Sequence, residues 1–195
     1  MKLLLISDEE DKYLWDYYHP GNLDGVDLIL SAGDLKANYL SFLVTMANRP
    51  LLYVHGNHDW SYDRQPPEGC DCIDDRLVVV NGLRILGLGG CLRYNNGPYQ
   101  YSERQMRIRI MKLHLKIMRA GGVDLVLTHA PVAGYGDEEN IAHRGFEAFL
   151  LLDRWQPSYL VHGHVHKRYD PRQQRVLQYK NTTLINANGK YYLDL

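Results

Sequence analysis

The sequence is short of cysteine, of net charge and of long hydrophobic runs. Its 195 residues include three cysteines, Cys70, Cys72 and Cys91. An odd number without a framework spacing argues against a secreted domain stabilised by disulfides. Cys70 and Cys72, one residue apart, are too few ligands to form a structural zinc site by themselves. We therefore interpret all three as free thiols in a reducing cytosol.

The small net charge and the lack of long apolar runs exclude further classes of protein. No stretch of about eighteen apolar residues occurs, which predicts that the chain has no membrane span. Residues 1–8 contain one lysine and a short apolar run, without the longer core and cleavage site of a signal peptide, so we expect a cytoplasmic protein. The formal net charge of -1 argues against nucleic acid or anionic lipid as a general partner.

What the chain does contain is a series of short apolar runs that read as buried strands. They cover residues 2–7, 27–31, 51–55, 76–80, 83–88, 123–128, 159–162, 176–179, 183–186 and 191–195. Helical patterns lie between them, at residues 40–47, 103–119 and 146–155. This alternation predicts an α/β fold in a single domain over residues 1–195, and Asn81-Gly82 predicts a hairpin. The consecutive C-terminal runs add antiparallel pairs, which gives a sandwich of mixed sheets.

Polar side chains follow nearly every one of these apolar runs. In open α/β sheets, ligands bind beyond the carboxyl ends of the strands, so neighbouring strands would bring such side chains to one rim. Seven of the nine histidines lie in or near these segments. They are His55, His58, His129, His143, His162, His164 and His166. Imidazoles together with carboxylates suit divalent cations such as Zn, Mn, Fe or Ni.

Each polar segment also has an ordinary structural interpretation when it is taken alone. Gly33-Asp34 is compatible with a simple turn, the segment from Asn57 to Asp59 with a turn and a helix cap, and His129 with a satisfied core histidine. His164 and His166 are the stronger signal, because alternate residues of an extended segment point the same way. The complete series in order favours a metal centre.

The ordered set resembles the signature of the calcineurin-like metallophosphoesterases, and particularly their small bacterial phosphodiesterase-like members. The matching segments are Asp8, Gly33-Asp34, Gly56-Asn57-His58-Asp59, His129 and Gly163-His164-Val165-His166. The resemblance implies a four-layered α/β/β/α sandwich of two mixed β-sheets. It also implies two divalent metal ions, which would be Mn, Fe, Zn or Ni.

The resemblance implies a ligand for each metal at named positions. The first ion would take Asp8, Asp34 and His166, and the second would take Asp34, Asn57, His129 and His164, with Asp34 shared. One position departs from the family pattern Asp-x-His, because Glu10 replaces the histidine. Three outcomes are open: Glu10 ligates the first metal, which we favour, or acts through a water or neighbouring side chain, or the first site is weak.

The implied activity is hydrolysis of a phosphodiester or phosphomonoester by a hydroxide held between the two ions. His58 would assist the leaving oxygen and Asp59 would orient His58. Asn57, His58, His143 and Arg144 are candidate contacts to a small phosphate-ester substrate, although His143 and Arg144 also suit the flank of a helix.

Two alternative functions are also compatible with the sequence, and one loop carries candidate pocket residues. A non-catalytic scaffold of the same fold is one alternative and a nuclease is another. The presence of His58 argues against the first, and the near-neutral charge argues against the second. The loop over residues 91–101 carries Arg93, Tyr94 and Tyr99, which suit a pocket wall or solvent equally.

Overall fold

The chain forms short strands joined by a few helices in the computed structural model, which describes residues 1–166 and 174–195. Within these residues the strands, in chain order, are β1 (Lys2–Ser7), β2 (Leu28–Ser31), β3 (Leu51–Tyr53), β4 (Asp71–Cys72), β5 (Arg76–Val80), β6 (Leu83–Leu88), β7 (Cys91–Leu92), β8 (Gln100–Tyr101), β9 (Leu125–Thr128), β10 (Tyr159–His162), β11 (Val176–Tyr179), β12 (Thr182–Asn186) and β13 (Gly189–Asp194). The helices are α1 (Ala37–Ala47) and α2 (Glu103–Arg119), with 3-10 helices at Lys12–Leu14, Asp59–Asp63 and Glu147–Trp155.

Eleven of these strands form two mixed sheets, as the sequence predicts, and β7 and β8 form a separate pair of parallel strands. The first sheet has the order β13-β1-β2-β3-β4, and the second has the order β11-β12-β10-β9-β6-β5. Inner neighbours such as β1 and β2 are parallel, whereas β13, β11 and β5 pair antiparallel with their neighbours. The β5–β6 hairpin turns at Asn81-Gly82, where both residues have positive φ (51° and 85°), the backbone that this dipeptide favours.

The side chains of β1 show how the layers are stacked. Leu3 and Leu5 point into a core between the two sheets, whereas Leu4 and Ile6 point to the opposite side, towards α1. Because successive strand residues face opposite sides, an apolar run buried on both faces requires a layer above and below it. The order of layers is therefore α1, first sheet, second sheet and α2, which confirms the predicted sandwich.

Helix α2 covers the outer face of the second sheet and matches its predicted stripe. Met106, Ile110, Leu113 and Ile117 are its buried side chains. It begins at Ser102, whose hydroxyl accepts from the Gln105 N–H while the Gln105 side chain accepts from the Ser102 N–H, a reciprocal cap. Among the described residues, no helix has the length and apolar character required to cross a membrane.

The predicted helix over residues 146–155 differs from the observed one in type. Residues Glu147–Trp155 form a 3-10 helix. Phe146, Phe149, Leu152 and Trp155 recur every three residues and pack against the same core beneath α2. A spacing of three matches the 3.0 residues per turn of a 3-10 helix better than the 3.6 of an α-helix, which explains the difference.

Candidate metal centre

The carboxyl ends of strands from both sheets meet at one rim of the sandwich. Asp8 follows β1 in the first sheet and His164 follows β10 in the second, and the His164 N–H lies 3.1 and 3.0 Å from the two Asp8 carboxylate oxygens. Asp34, after β2, lies 3.3 Å from Nε2 of His129, after β9. The structure thus brings together polar side chains that are up to 156 residues apart in the chain.

The backbone at this rim is held in an uncommon conformation. Asp8, Asp34 and His164 have φ values of 61°, 57° and 68°, in the left-handed region that residues other than glycine rarely adopt. Glycine is required beside them, because a Cβ at Gly56 would overlap the Asp34 carboxylate and one at Gly163 would overlap Asp8. Such backbone costs about 1–3 kcal/mol per residue and concentrates at functional sites.

Four side chains form what we call the inner half of the rim, namely Asp34, Asn57, His129 and His164. His129 is fully buried, and its Nδ1 lies 2.7 Å from the carbonyl oxygen of Ala32, which fixes Nδ1 as the donor. Its Nε2 then faces Oδ1 of Asn57 at 3.0 Å and Oδ2 of Asp34 at 3.3 Å. Three lone pairs therefore converge on one point, an arrangement that needs a cation.

Hydrogen bonds around the inner half support the same arrangement. The Asn57 amide nitrogen donates to the Tyr94 hydroxyl at 3.2 Å, which turns Oδ1 of Asn57 towards His129. Nε2 of His164 lies 2.6 Å from the carbonyl oxygen of Ala142, which leaves Nδ1 as the remaining ligand atom of that ring. One ligand atom each from Asp34, His129 and His164 lie within 4.8 Å of one another.

The pKa shifts of these groups also indicate a site for a cation. Burial alone would raise the pKa of Asp34, but His129 and the His58 N–H lower it to about 2. Burial favours a neutral His129, yet the Asp34 carboxylate raises the pKa of that ring to about 9. Burial and the neighbouring His129 lower the pKa of His164 to about 3, so its ring is neutral at pH 7. A proton on His129 thus takes the place that a metal ion would fill.

The outer half of the rim, by which we mean Asp8, Glu10 and His166, is more open. Burial raises the pKa of Asp8, whose carboxylate accepts from the Ser7 hydroxyl at 2.6 Å. Glu10 pairs with Lys36 at 3.2 Å. The side chain of His166 is 50% exposed, and its Nδ1 lies 3.8 Å from a Glu9 oxygen. Glu10 and His166 therefore lie outside the close set of contacts that joins the inner half, whereas Asp8 is buried and accepts from the His164 N–H.

His58 and Asp59 occupy different environments although they are adjacent. His58 is exposed, lines an open cleft of about 570 Å³ beside Asp34 and Glu10, and donates its N–H to Asp34 at 2.8 Å. Asp59 is 2% exposed, and burial raises its pKa to about 6.

The hydrogen bonds of Asp59 differ from those expected for it. In the described residues, its carboxylate accepts from the backbone N–H groups of Asp34 at 2.9 Å and Gly56 at 2.8 Å, and not from the His58 ring. Asp59 therefore joins two rim loops in this structure, and its role in orienting His58 stays a prediction.

The other predicted contacts divide into two groups. The ring of His143 lies 5.2 Å from that of His164 and 6.3 Å from that of His166, so the structure places it beside the centre. Arg144 instead lines another cavity, with Asp137 and neighbouring acidic residues.

The tyrosines of the loop 91–101 and Lys36 complete the surroundings of the rim. Tyr94 reaches Asn57, whereas Tyr99 stacks on His55 behind the rim. Lys36 was not predicted as a site residue, yet it lines the cleft two residues after Asp34. Its proximity to Gly33-Asp34 was the signal that could have indicated it.

Comparisons with known proteins agree with this architecture. A family model described as the calcineurin-like phosphoesterase superfamily domain matches residues 1–187. The UPF0046 protein K07C11.7 of Caenorhabditis elegans is 25% identical over 221 residues, which cover 96% of this chain and 69% of that protein. The UPF0046 protein T07D4.2 of the same organism is 29% identical over 119 residues, 60% of this chain and 29% of that protein.

Two solved structures share the fold. TT1561 of Thermus thermophilus has a TM-score of 0.63 at 15% identity, covering 96% of this chain and 89% of that chain. GAP50, described as the anchor in the inner membrane complex of Plasmodium, has a TM-score of 0.58 at 15% identity, covering 96% of this chain and 71% of that chain. At these identities the likeness concerns the fold alone.

Proposed function

This chain belongs to the calcineurin-like phosphoesterase superfamily, and from that premise we propose that it is a two-metal hydrolase of small phosphate esters. The family implies metal-dependent hydrolysis of phosphoesters. One observation supports the proposal most strongly: Asp34 Oδ2 and Asn57 Oδ1 both lie within 3.3 Å of His129 Nε2. A buried site of this kind offers ligands to a divalent ion, which would replace the proton on His129.

The residues of the rim form two sets of ligands, one for each ion. Asp34, Asn57, His129 and His164 would hold one ion, and Asp8, Glu10 and His166 would hold the other, with Asp34 shared. When bound, the ions supply Lewis-acid activation of water and neutralise charge on the phosphoryl group. We expect manganese, iron, zinc or nickel, because the ligands are mixed imidazoles and oxygens.

The chain's own side chains would bind and orient the substrate in the open cleft. His58 is exposed at the wall of this cleft, where its ring would donate a proton or hydrogen bond to the departing oxygen. Asn57 belongs to the inner half and His143 lies beside it, and both would contact the phosphate oxygens. A cleft without a covering domain suits a small diester or an accessible monoester, and we expect neither nucleic acid nor a membrane as the partner.

The test is turnover of bis-p-nitrophenyl phosphate and p-nitrophenyl phosphate by protein freed of metal with a chelator. We expect no turnover before addition of Mn²⁺, Ni²⁺ or Mg²⁺ and saturable turnover afterwards. The histidine expected by family resemblance is replaced by Glu10, which favours a non-catalytic scaffold as the second candidate. No turnover by protein that retains His58 and carries both ions would support the scaffold and exclude the hydrolase.

A further inference from the structure

A second group of potential metal ligands lies near the ends of β3 and β4, next to the loop that carries Asn57 and His58. His55 follows β3, Cys72 ends β4 and Asp74 lies two residues beyond it. One ligand atom each from His55, Cys72 and Asp74 lie within 4.8 Å of one another. We propose that these three side chains bind a zinc-like ion that is distinct from the ions of the rim.

Two of the three distances between ligand atoms are close to those of a tetrahedral zinc site. Sγ of Cys72 lies 3.7 Å from Nδ1 of His55, and Oδ2 of Asp74 lies 2.7 Å from the same nitrogen. With metal–ligand bonds of about 2.0–2.3 Å at tetrahedral angles, the sulfur–nitrogen separation is about 3.6 Å and the oxygen–nitrogen separation about 3.3 Å. The thiol therefore already stands at the required distance, and the carboxylate has to withdraw by only about 0.6 Å.

The short distance between His55 Nδ1 and Asp74 Oδ2 shows that a proton lies between them, which a metal ion would have to displace. It is a hydrogen bond in which Nδ1 and the carboxylate share a proton. Thiolate, neutral imidazole and carboxylate are the forms that ligate metals, so an ion would displace this proton together with that of the Cys72 thiol. Both side chains are mostly buried, with exposures of 13% for His55 and 19% for Asp74, yet a path from solvent remains.

Contacts outside the three ligands hold two of them in place. The second carboxylate oxygen of Asp74 accepts from the Gly89 N–H at 2.9 Å. The His55 ring stacks on Tyr99 with centroids 4.3 Å apart, and the Tyr99 hydroxyl donates to Asp63 at 2.6 Å. Such outer contacts orient metal ligands before the ion arrives and strengthen its binding.

The ligand types distinguish this group from the rim. A thiolate favours zinc or another soft cation, whereas the rim offers only imidazole, carboxylate and amide groups. Three protein ligands leave a fourth position for water, so the ion would exchange more readily than one in a site of four ligands. An ion here would tie the end of β3, and hence the loop after it, to β4.

Cobalt is the probe that separates the two sites, because a thiolate bound to Co²⁺ gives an ultraviolet charge-transfer band that histidine and carboxylate ligands do not give. We expect this band when chelator-treated protein is titrated with Co²⁺. Cys70→Ser is the matched control, because the Cys70 thiol contacts the Glu68 carbonyl oxygen at 3.5 Å and lies outside the group. The band should persist in Cys70→Ser and in His129→Ala, and it should disappear in Cys72→Ser.

The zinc content of the protein and a second variant test the proposal independently of the cobalt spectrum. Wild-type protein should retain one more zinc ion per chain than Cys72→Ser after equal dialysis. Asp74→Asn keeps the thiol, and we expect it to weaken zinc binding on the order of 10–100-fold. Absence of the band in wild-type protein saturated with Co²⁺, or its persistence in folded Cys72→Ser, would overturn the proposal.

Discussion

The inner and outer halves of the rim offer similar types of ligand but differ in how they are held. In the inner half, His129 and Asn57 are 0% and 5% exposed, and their ligand atoms already face one another. In the outer half, His166 is half exposed and Glu10 is paired with Lys36. A buried and oriented set loses little side-chain entropy when it binds an ion, whereas an open set has to become ordered first.

This difference predicts unequal affinities for two ions that share the Asp34 carboxylate. The inner half should bind first and more tightly, because its ligand atoms are buried and already face one another, so that an ion only has to replace the proton on His129. The outer half should bind later and depend on solution conditions. The following substitutions test the contrast, beginning with Asp34, the inner-half residue that both ions would share.

Asp34→Asn should have the largest effect, because it removes the shared charge while preserving the shape. We expect metal affinity to fall more than about 100-fold, since even residues outside the ligand sphere contribute about 10–100-fold. Bound metal is measured after dialysis, together with turnover. Asp16→Asn, at an exposed position, is the control and should match wild type. Unchanged metal content in Asp34→Asn would exclude the shared site.

His58→Ala should lose turnover without losing metal. General acid catalysis contributes about 10²–10⁴-fold, and the ring of His58 faces the cleft instead of the three converging lone pairs. We expect kcat to fall by that factor while bound metal stays constant, with the exposed His19→Ala as control. Turnover near that of wild type would remove the role given to His58.

Glu10→Gln and Lys36→Met probe the outer half as a pair. If Glu10 ligates an ion, Lys36 competes with that ion for the carboxylate. Exposed ion pairs contribute up to about 1 kcal/mol, so Lys36→Met should strengthen the weaker metal-binding step by about fivefold. Glu10→Gln should weaken the same step and leave the tighter one unchanged. If neither substitution alters the weaker step, Glu10 is not a ligand.

His143→Ala should alter substrate binding and leave metal binding unchanged. Its ring lies beside His164 without taking part in the converging contacts, so we expect KM to rise by about tenfold through loss of one hydrogen bond to the charged substrate. Arg144→Ala, in the neighbouring cavity, serves as the comparison and should change KM less. A larger effect for Arg144→Ala would place the substrate in the other cavity.

The sequence predicted the sandwich because its signals are local. The apolar run before Asp8 and the turn residues around Gly33 and Gly56 mark where strands end, and parallel strands bring such ends to one edge. The stripe of α2 from Met106 to Ile117 follows from helical spacing in the same way.

The features that the sequence did not predict depend on distant partners or very short elements. The bond from His129 to the Ala32 carbonyl oxygen joins residues that are 97 positions apart. Asp71–Cys72 is a strand of two residues, too short for any periodicity. For the same reason, Cys70 and Cys72 alone did not indicate a metal site, because the pairing of β3 with β4 is what brings His55 to Cys72 and Asp74.

The most direct test of the unequal halves is the number of manganese ions bound per chain as the free Mn²⁺ concentration rises. The titration is performed in Cys72→Ser protein, so that the thiolate group makes no contribution. We predict two separate steps, of which the tighter disappears in His129→Ala and the weaker responds to Glu10→Gln. A single step that fills both sites together, or a tight step that survives in His129→Ala, would contradict the account.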